Sequence, residues 1–226
     1  MVTLLIICIA AIGVLGMNIK VVQKTPYIGI RIICTMLFIL SIMRYITLLL
    51  FARASSVEVL IKMQNFYFIT SIGITVPSIL LLWYMTPFYR EKIKGTFIMV
   101  LSMPWFIFYA LLLILKPYRV VKSQALGYIL KLTGDWHLYL TVLQVSFMVI
   151  FILGASYGLK LYKHKQIRSQ YMVLIMCQLL FLIDGLTYFG LVPGSIPVFT
   201  LTEIFGFLGI YYGFSRPTID ARGIRR

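Results

Sequence analysis

Three ionisable residues stand where the neighbouring sequence offers them no water. Arg44 lies within IICTMLFILSIMRYITLLLFA, Asp184 within YMVLIMCQLLFLIDGLTYF and Glu203 within VFTLTEIFGFLGIYYGF. A charge in such surroundings is costly, so it faces protein or water rather than lipid and is a functional-site candidate by default. One guanidinium and two carboxylates support two compatible readings. Arg44 pairs with Asp184 or Glu203 and locks helices together, or the charges recognise a small ligand by charge and hydrogen bonding. Which of the two acids meets Arg44 is open at this stage. Uncharged polar residues join the set: Gln64, Asn65 and Gln144 also interrupt apolar runs. His137, beside Asp135 and Trp136, has a ring able to sense pH or touch a ligand, and equally fits as an interfacial residue next to an aromatic anchor.

Other chemistries lack their residues. The two histidines, His137 and His164, sit at opposite ends of the apolar stretch between them, and the chain has no HExxH, no GxSxG and no GxxxxGK[ST]. Hydrolysis and nucleotide-driven pumping are not expected, and neither is enzyme activity of any other kind. The last apolar stretch has no lysine for a retinal Schiff base. Cys8, Cys34 and Cys177 fall inside apolar runs without CxxC or Cys/His clustering, so no metal, disulfide or other cofactor is expected.

The elements that must position these residues follow from composition. Hydrophobic residues make up 61% of the chain, charged residues 12%, and the mean hydropathy is +0.98, far outside the soluble range. Uncharged runs cover Met1 to Ile19, Met63 to Tyr89, Gly95 to Leu115 and Leu138 to Leu159, each near or above the roughly 20 residues that span hydrocarbon. They predict helices 1, 3, 4 and 5, and Ile32 to Ala52 predicts helix 2. The stretch from Ser169 to Ser215 is too long for one span and has Gly190, Pro193, Gly194 and Pro197 at its middle. It predicts a hairpin of helix 6, Tyr171 to Phe189, and helix 7, Val198 to Phe214. The fold class is thus an all-α membrane protein, a seven-transmembrane helix bundle spanning 1–214 with a short basic tail at 215–226. The first run lacks the basic start and the small-residue site of a cleaved signal peptide, so helix 1 is expected to stay. Continuous apolar runs also argue against an outer-membrane barrel.

Basic residues give the orientation. With the N-terminus outside, the cytoplasmic segments hold Lys20, Lys24, Arg31, Arg90, Lys92, Lys94, Lys160, Lys163, Lys165, Arg168, Arg216, Arg222, Arg225 and Arg226. The outer side holds Arg53, Lys62, Lys116, Arg119, Lys122 and Lys131. The positive-inside rule favours N-out and C-in in the plasma membrane. The net charge of +15 then reflects topology and attraction to the lipid bilayer, so no nucleic-acid partner is called for. At 1.5 Å per residue, Arg44 stands about 20 Å above Arg31, Asp184 about 20 Å above the start of helix 6 and Glu203 about 9 Å below Pro197. All three reach one level in the outer half, where Gln64, Asn65 and Gln144 also fall. A polar chamber open to the outside is the expectation.

Smaller features complete the reading. Tyr118 to Lys131, mixing apolar and basic residues, predicts either a short surface helix or an unstructured loop. Pro77 and Pro104 predict kinks. Gly154 and Gly158 form a GxxxG that predicts close packing inside the bundle, with Gly206 and Gly209, and Gly185 and Gly190, as looser versions.

The stretches QNFYFITSIGITVPSILLLWY (Gln64 to Tyr84) and LKPY (Leu115 to Tyr118), and the block from Trp136 to Phe214 containing KLYKHKQIRSQY, LTYFGLVPG and IPVFTLTEIFG, carry a resemblance. In order and spacing the chain resembles, over nearly its whole length, the seven-helix N-terminal sensor region of bacterial histidine kinases. That resemblance implies a two-component signalling role and a cytoplasmic partner. The remaining SRPTIDARGIRR is too short for phosphoacceptor helices or an ATP-binding domain. Either the chain is a sensor module cut from a longer protein or it is a stand-alone receptor that signals to a separate partner, and the stand-alone form is the expectation taken. A sensor predicts ligand contacts at Arg44, Gln64, Asn65, His137, Gln144, Asp184 and Glu203, and output through the cytoplasmic loops and tail. A small-solute transporter predicts polar residues continuing to the inner side and an internal repeat, neither of which the sequence carries. A structural subunit of a membrane complex needs only the helix lock.

Overall fold

The computed structural model of the protein describes residues 2–53, 57–123, 127–187 and 200–216. The expected hairpin bend with Gly190, Pro193, Gly194 and Pro197, the end of helix 6 at Phe189, the start of helix 7 at Val198 and the tail from residue 217 lie outside the described residues.

Helices dominate, as the apolar runs require. Two long helices open the chain, α1 (Val2–Val22) and α2 (Ile28–Arg53). A broken segment follows, consisting of α3 (Val57–Met63), a 3-10 turn (Gln64–Phe66), α4 (Thr70–Gly73), α5 (Thr75–Met85) and α6 (Pro87–Lys92). Then come α7 (Gly95–Leu115), strands β1 (Tyr118–Ser123) and β2 (Gly127–Leu132), α8 (Trp136–Leu161), α9 (Lys165–Thr187) and α10 (Thr200–Ser215). Five helical stretches among the described residues are long and apolar enough to cross a membrane: Val2–Val22, Ile28–Arg53, Leu60–Met85, Gly95–Leu115 and Trp136–Leu161. Their outer faces carry Ile6, Ile32, Ile107 and Leu153, each more than half exposed, a surface suited to hydrocarbon rather than water. This is a multi-pass helical membrane protein.

The expected single helix from Met63 to Tyr89, kinked at Pro77, is corrected to a broken series of short helices. The chain leaves the α-helical ladder at Gln64, turns through Tyr67 to Ile69, and regains a regular helix only at Thr75. Pro77 accounts for part of this, because it has no N–H to donate to the carbonyl four residues back, at Gly73. The expected kink therefore lies on its N-terminal side. Non-helical backbone at membrane depth is tolerated only where protein encloses it. Leu60–Met85 meets that condition, being the most buried of the five stretches at 78%. Pro104 lies inside α7, which runs on past it.

The described residues of Tyr118 to Lys131 form neither a helix nor a loop but two antiparallel strands, pairing Tyr118 with Leu132, Val120 with Leu130 and Lys122 with Tyr128. Tyr118, Val120, Tyr128 and Leu130 pack on the core, while the basic Arg119 and Lys131 alternate with them. That period of two is the strand signature, and Val120, Val121, Tyr128 and Ile129 are strand-favouring types. Lys116, at φ 46°, ends α7 in the left-handed region and turns the chain into β1.

Helices α1, α9 and α5 all pack on α10, while its opposite face, with Leu201, Phe205 and Leu208, stays exposed. Glycines permit the packing. A Cβ on Gly206 would press on the Phe181 ring of α9, one on Gly209 on Cys177, and one on Gly213 on Leu81 of α5. The GxxxG of α8 packs closely too, with Gly158 against the Tyr171 ring and Gly154 against Leu82. Gly158→Ala would place its Cβ 2.5 Å from the Tyr171 ring, whereas Gly13→Ala on α1 meets nothing within 4 Å. The first should lose about 1–3 kcal/mol to overpacking, and the second should be neutral or gain up to about 1 kcal/mol from helix propensity. Thermal unfolding of the two variants in detergent checks the contrast, and equal midpoints would contradict the packing described.

Candidate functional site

The break in Leu60–Met85 leaves backbone carbonyls without helical partners, and in an apolar medium each must find another. Side chains from three other helices reach them. Arg44 of α2 donates from Nη1 to the Tyr67 carbonyl at 2.8 Å. Tyr109 of α7 donates to the Asn65 carbonyl at 2.6 Å. Gln144 of α8 donates from Nε2 to the Ser71 carbonyl at 3.3 Å, and Thr75 donates to the same oxygen at 2.6 Å.

Arg44 also resolves the question of its acid. Its Nη2 lies 3.1 Å from Glu203 Oε1, an ion pair between α2 and α10. The carboxylate is held further by Tyr45, whose hydroxyl donates to Oε2 at 2.8 Å, and by Thr70, whose hydroxyl donates to Oε1 at 2.7 Å. The Arg44 guanidinium stands 5.9 Å from the centroid of the Tyr67 ring. Arg44 is 7% exposed and Glu203 4%, so the pair is enclosed by protein. Three structural units meet here: α2, the turn leading into α4, and α10. Gly73 permits the approach, since a Cβ there would strike the Ser41 side chain of α2. One turn further along α10, the Phe207 carbonyl accepts from Asn18 Nδ2 at 2.9 Å, joining α1 to the same helix.

Buried donors at this level retain unused capacity. Arg44 Nε, Ser71 Oγ beside Thr70, and Thr200 Oγ1 one turn before Glu203 are buried without a hydrogen-bond partner among the described residues. Buried polar atoms of this kind call for water or a ligand.

The other expected site residues divide. Gln144 reaches the broken segment, as above. Asn65 is exposed, and its Oδ1 accepts a long bond, 3.4 Å, from Tyr118 of the hairpin. Burial pushes the Tyr118 phenol above its ordinary pKa and keeps it a neutral donor. Gln64 is half-buried in the 3-10 turn. His137 is exposed at the start of α8, its Nδ1 2.9 Å from the Gly134 carbonyl and thus within its own turn rather than in the buried cluster. Asp184 lies on α9, and its side chain is outside the described residues. Tyr45, Thr70 and Tyr67 were not foreseen. The signal available for Tyr45 was its place next to Arg44, and for Thr70 its position three residues before Gly73, whereas the role of Tyr67 is a backbone carbonyl that no side-chain pattern announces. The chain matches no family model, no curated protein and no solved structure.

Removing one member of a buried ion pair strands the other, at a cost of about 3–5 kcal/mol. Glu203→Gln and Arg44→Met should each lose stability on that scale, and the double variant should lose clearly less than their sum. A double-mutant cycle by thermal unfolding in detergent measures the coupling. Additivity within about 0.5 kcal/mol would mean that the pair is not coupled.

Proposed function

We propose that this protein is a sensor module of the plasma membrane, a seven-span receptor with its N-terminus outside, that detects a small ligand or membrane signal in its outer half and passes the change to a cytoplasmic partner. The observation that carries the reading is the Arg44–Glu203 pair, which fastens the last helix to α2 and to the broken segment while leaving Arg44 Nε, Ser71 Oγ and Thr200 Oγ1 unbonded among the described residues. A ligand bonding to those donors competes for the contacts that hold α10, and α10 leads directly to the basic cytoplasmic end at Arg216. A ligand shifts such an equilibrium only by its difference in affinity for the two states, and contacts shared between helices supply that difference. The resemblance to the sensor region of histidine kinases supports the same reading, as does the excess of basic residues on the proposed inner side. Gln64, Asn65, His137, Gln144 and Asp184 are the remaining candidates for ligand contact.

A second reading rests on one observation. Discontinuous helices enclosing polar groups are also how many secondary transporters hold solutes, and Leu60–Met85 is such a helix. The two readings part on flux and on motion. Spin labels at Lys94 and Arg216, in a Cys177→Ser background, report the separation of cytoplasmic helix ends in nanodiscs. For a sensor, Glu203→Gln should change that distance distribution, a reporter fused to the C-terminus should be cytoplasmic, and proteoliposomes of the protein alone should show no solute flux. An extracellular C-terminal reporter or measured flux would overturn the sensor reading.

A further inference from the structure

The end of α9 near the α8–α9 turn opens into a groove of about 660 Å³. Its mouth is formed by Lys163, Lys165 and Arg168, all exposed, and its length by Met172, Met176 and Leu180, which follow Arg168 at intervals of four and so share one face of α9. No acidic residue lines it. A fourth cation is at hand. Ser169, also in the lining, lies 3.1 Å from the Tyr212 hydroxyl of α10, and the Arg216 guanidinium covers that Tyr212 ring at 5.3 Å. The cavity is thus cationic at the helix end and apolar for the next three turns, about 18 Å of helix from Arg168 to Leu180.

We propose that this groove is a binding site for one anionic phospholipid, its phosphate held by Lys163, Lys165 and Arg168 and one acyl chain lying along Met172, Met176 and Leu180. The charge complementarity selects the occupant. A neutral apolar partner would leave three cations without counter-charge, and a soluble anion would leave the apolar length of the groove empty. Basic residues at the end of a membrane helix attract anionic headgroups, and each is worth about a fivefold change in affinity. Met172 and Met176, unbranched and adaptable, suit a flexible chain. The cationic mouth of the groove lies beside Tyr212, nine residues along α10 from Glu203, and the proposal does not depend on the sensor reading. A bound lipid would, however, set the position of α9 against α10 through the lipid composition of one leaflet.

Native mass spectrometry of the detergent-solubilised protein tests this, with phosphatidylglycerol and phosphatidylcholine of identical chains as probes. Phosphatidylglycerol should be retained as a single tight copy and phosphatidylcholine should not. The triple variant Lys163→Gln, Lys165→Gln, Arg168→Gln should weaken that copy on the order of a hundredfold. Removing three cations elsewhere, by Arg90→Gln, Lys92→Gln and Lys94→Gln, should leave it within about twofold, which separates a site from general attraction to charge. Val173→Trp, at a half-buried position in the lining, should also displace the lipid while the protein stays monodisperse. Equal retention of both lipids, equal loss in the two triple variants, or competition by inorganic phosphate alone as effective as by the lipid would each overturn the assignment.

Discussion

Backbone polar groups cannot go unpaired in hydrocarbon, and much of the described structure is arranged around a segment where the helical ladder fails to pair them. Between Gln64 and Thr75 the chain passes through a 3-10 turn, an irregular turn and the single-turn α4 instead of continuing as one helix. The carbonyls of Asn65, Tyr67 and Ser71 are bonded instead by Tyr109, Arg44 and Gln144, from three different helices. The buried bond from Arg44 to the Tyr67 carbonyl is worth more here than in water, because the alternative is an unsatisfied group in a low-dielectric interior. The broken segment is also the most enclosed stretch of the bundle. Burial and breakage depend on each other: a lipid-facing helix could not break, and an unbroken one would give Arg44 no backbone carbonyl to bond.

The last helix is tied to this centre by charge and fitted to it by small residues. Glu203 provides the acceptor that Arg44 needs and takes two further hydrogen bonds, so its carboxylate is well satisfied despite its burial. Gly206, Gly209 and Gly213 let α9 and α5 approach α10 closely enough for aromatic and branched side chains to fill the seam. Association of helices in lipid gains nothing from hydrophobic transfer, so contact distance and polar bonds must supply the specificity. Both are concentrated on α10.

The helices were legible in the sequence because continuous apolar runs leave the chain no other membrane-compatible structure, and α7 matches Gly95 to Leu115 at both ends. The Arg44 pairing was legible too, from cost: a guanidinium at that depth needs an anion, and only two acids were placed to supply it. That Glu203 meets Arg44 was not, since it depends on the rotation of α2 against α10, which a one-dimensional pattern does not contain. The helix break escaped because its apolar residues are as compatible with a turn as with a helix, and what distinguishes the two is a set of distant donors. The β-hairpin escaped for a different reason. Its alternation of Tyr118, Arg119 and Val120 was present in the sequence, but basic residues mixed with apolar ones also describe an interfacial helix, and over so few residues the two periods are hard to separate.

A buried ion pair is a poor source of stability and a good marker of register. The desolvation of both charges offsets much of their attraction, so apolar residues of the same shape would hold the bundle together about as well. They would not hold it in one arrangement. A shift of α10 by one turn, about 5.4 Å, would leave apolar contacts largely interchangeable, but it would carry Glu203 away from Arg44, Tyr45 and Thr70 together. The penalty for any alternative position is thus concentrated at one point, where the ion pair and both hydrogen bonds of Glu203 would be lost together. A change at Arg44 or Glu203 too small to unfold the protein is then large enough to decide where α10 sits.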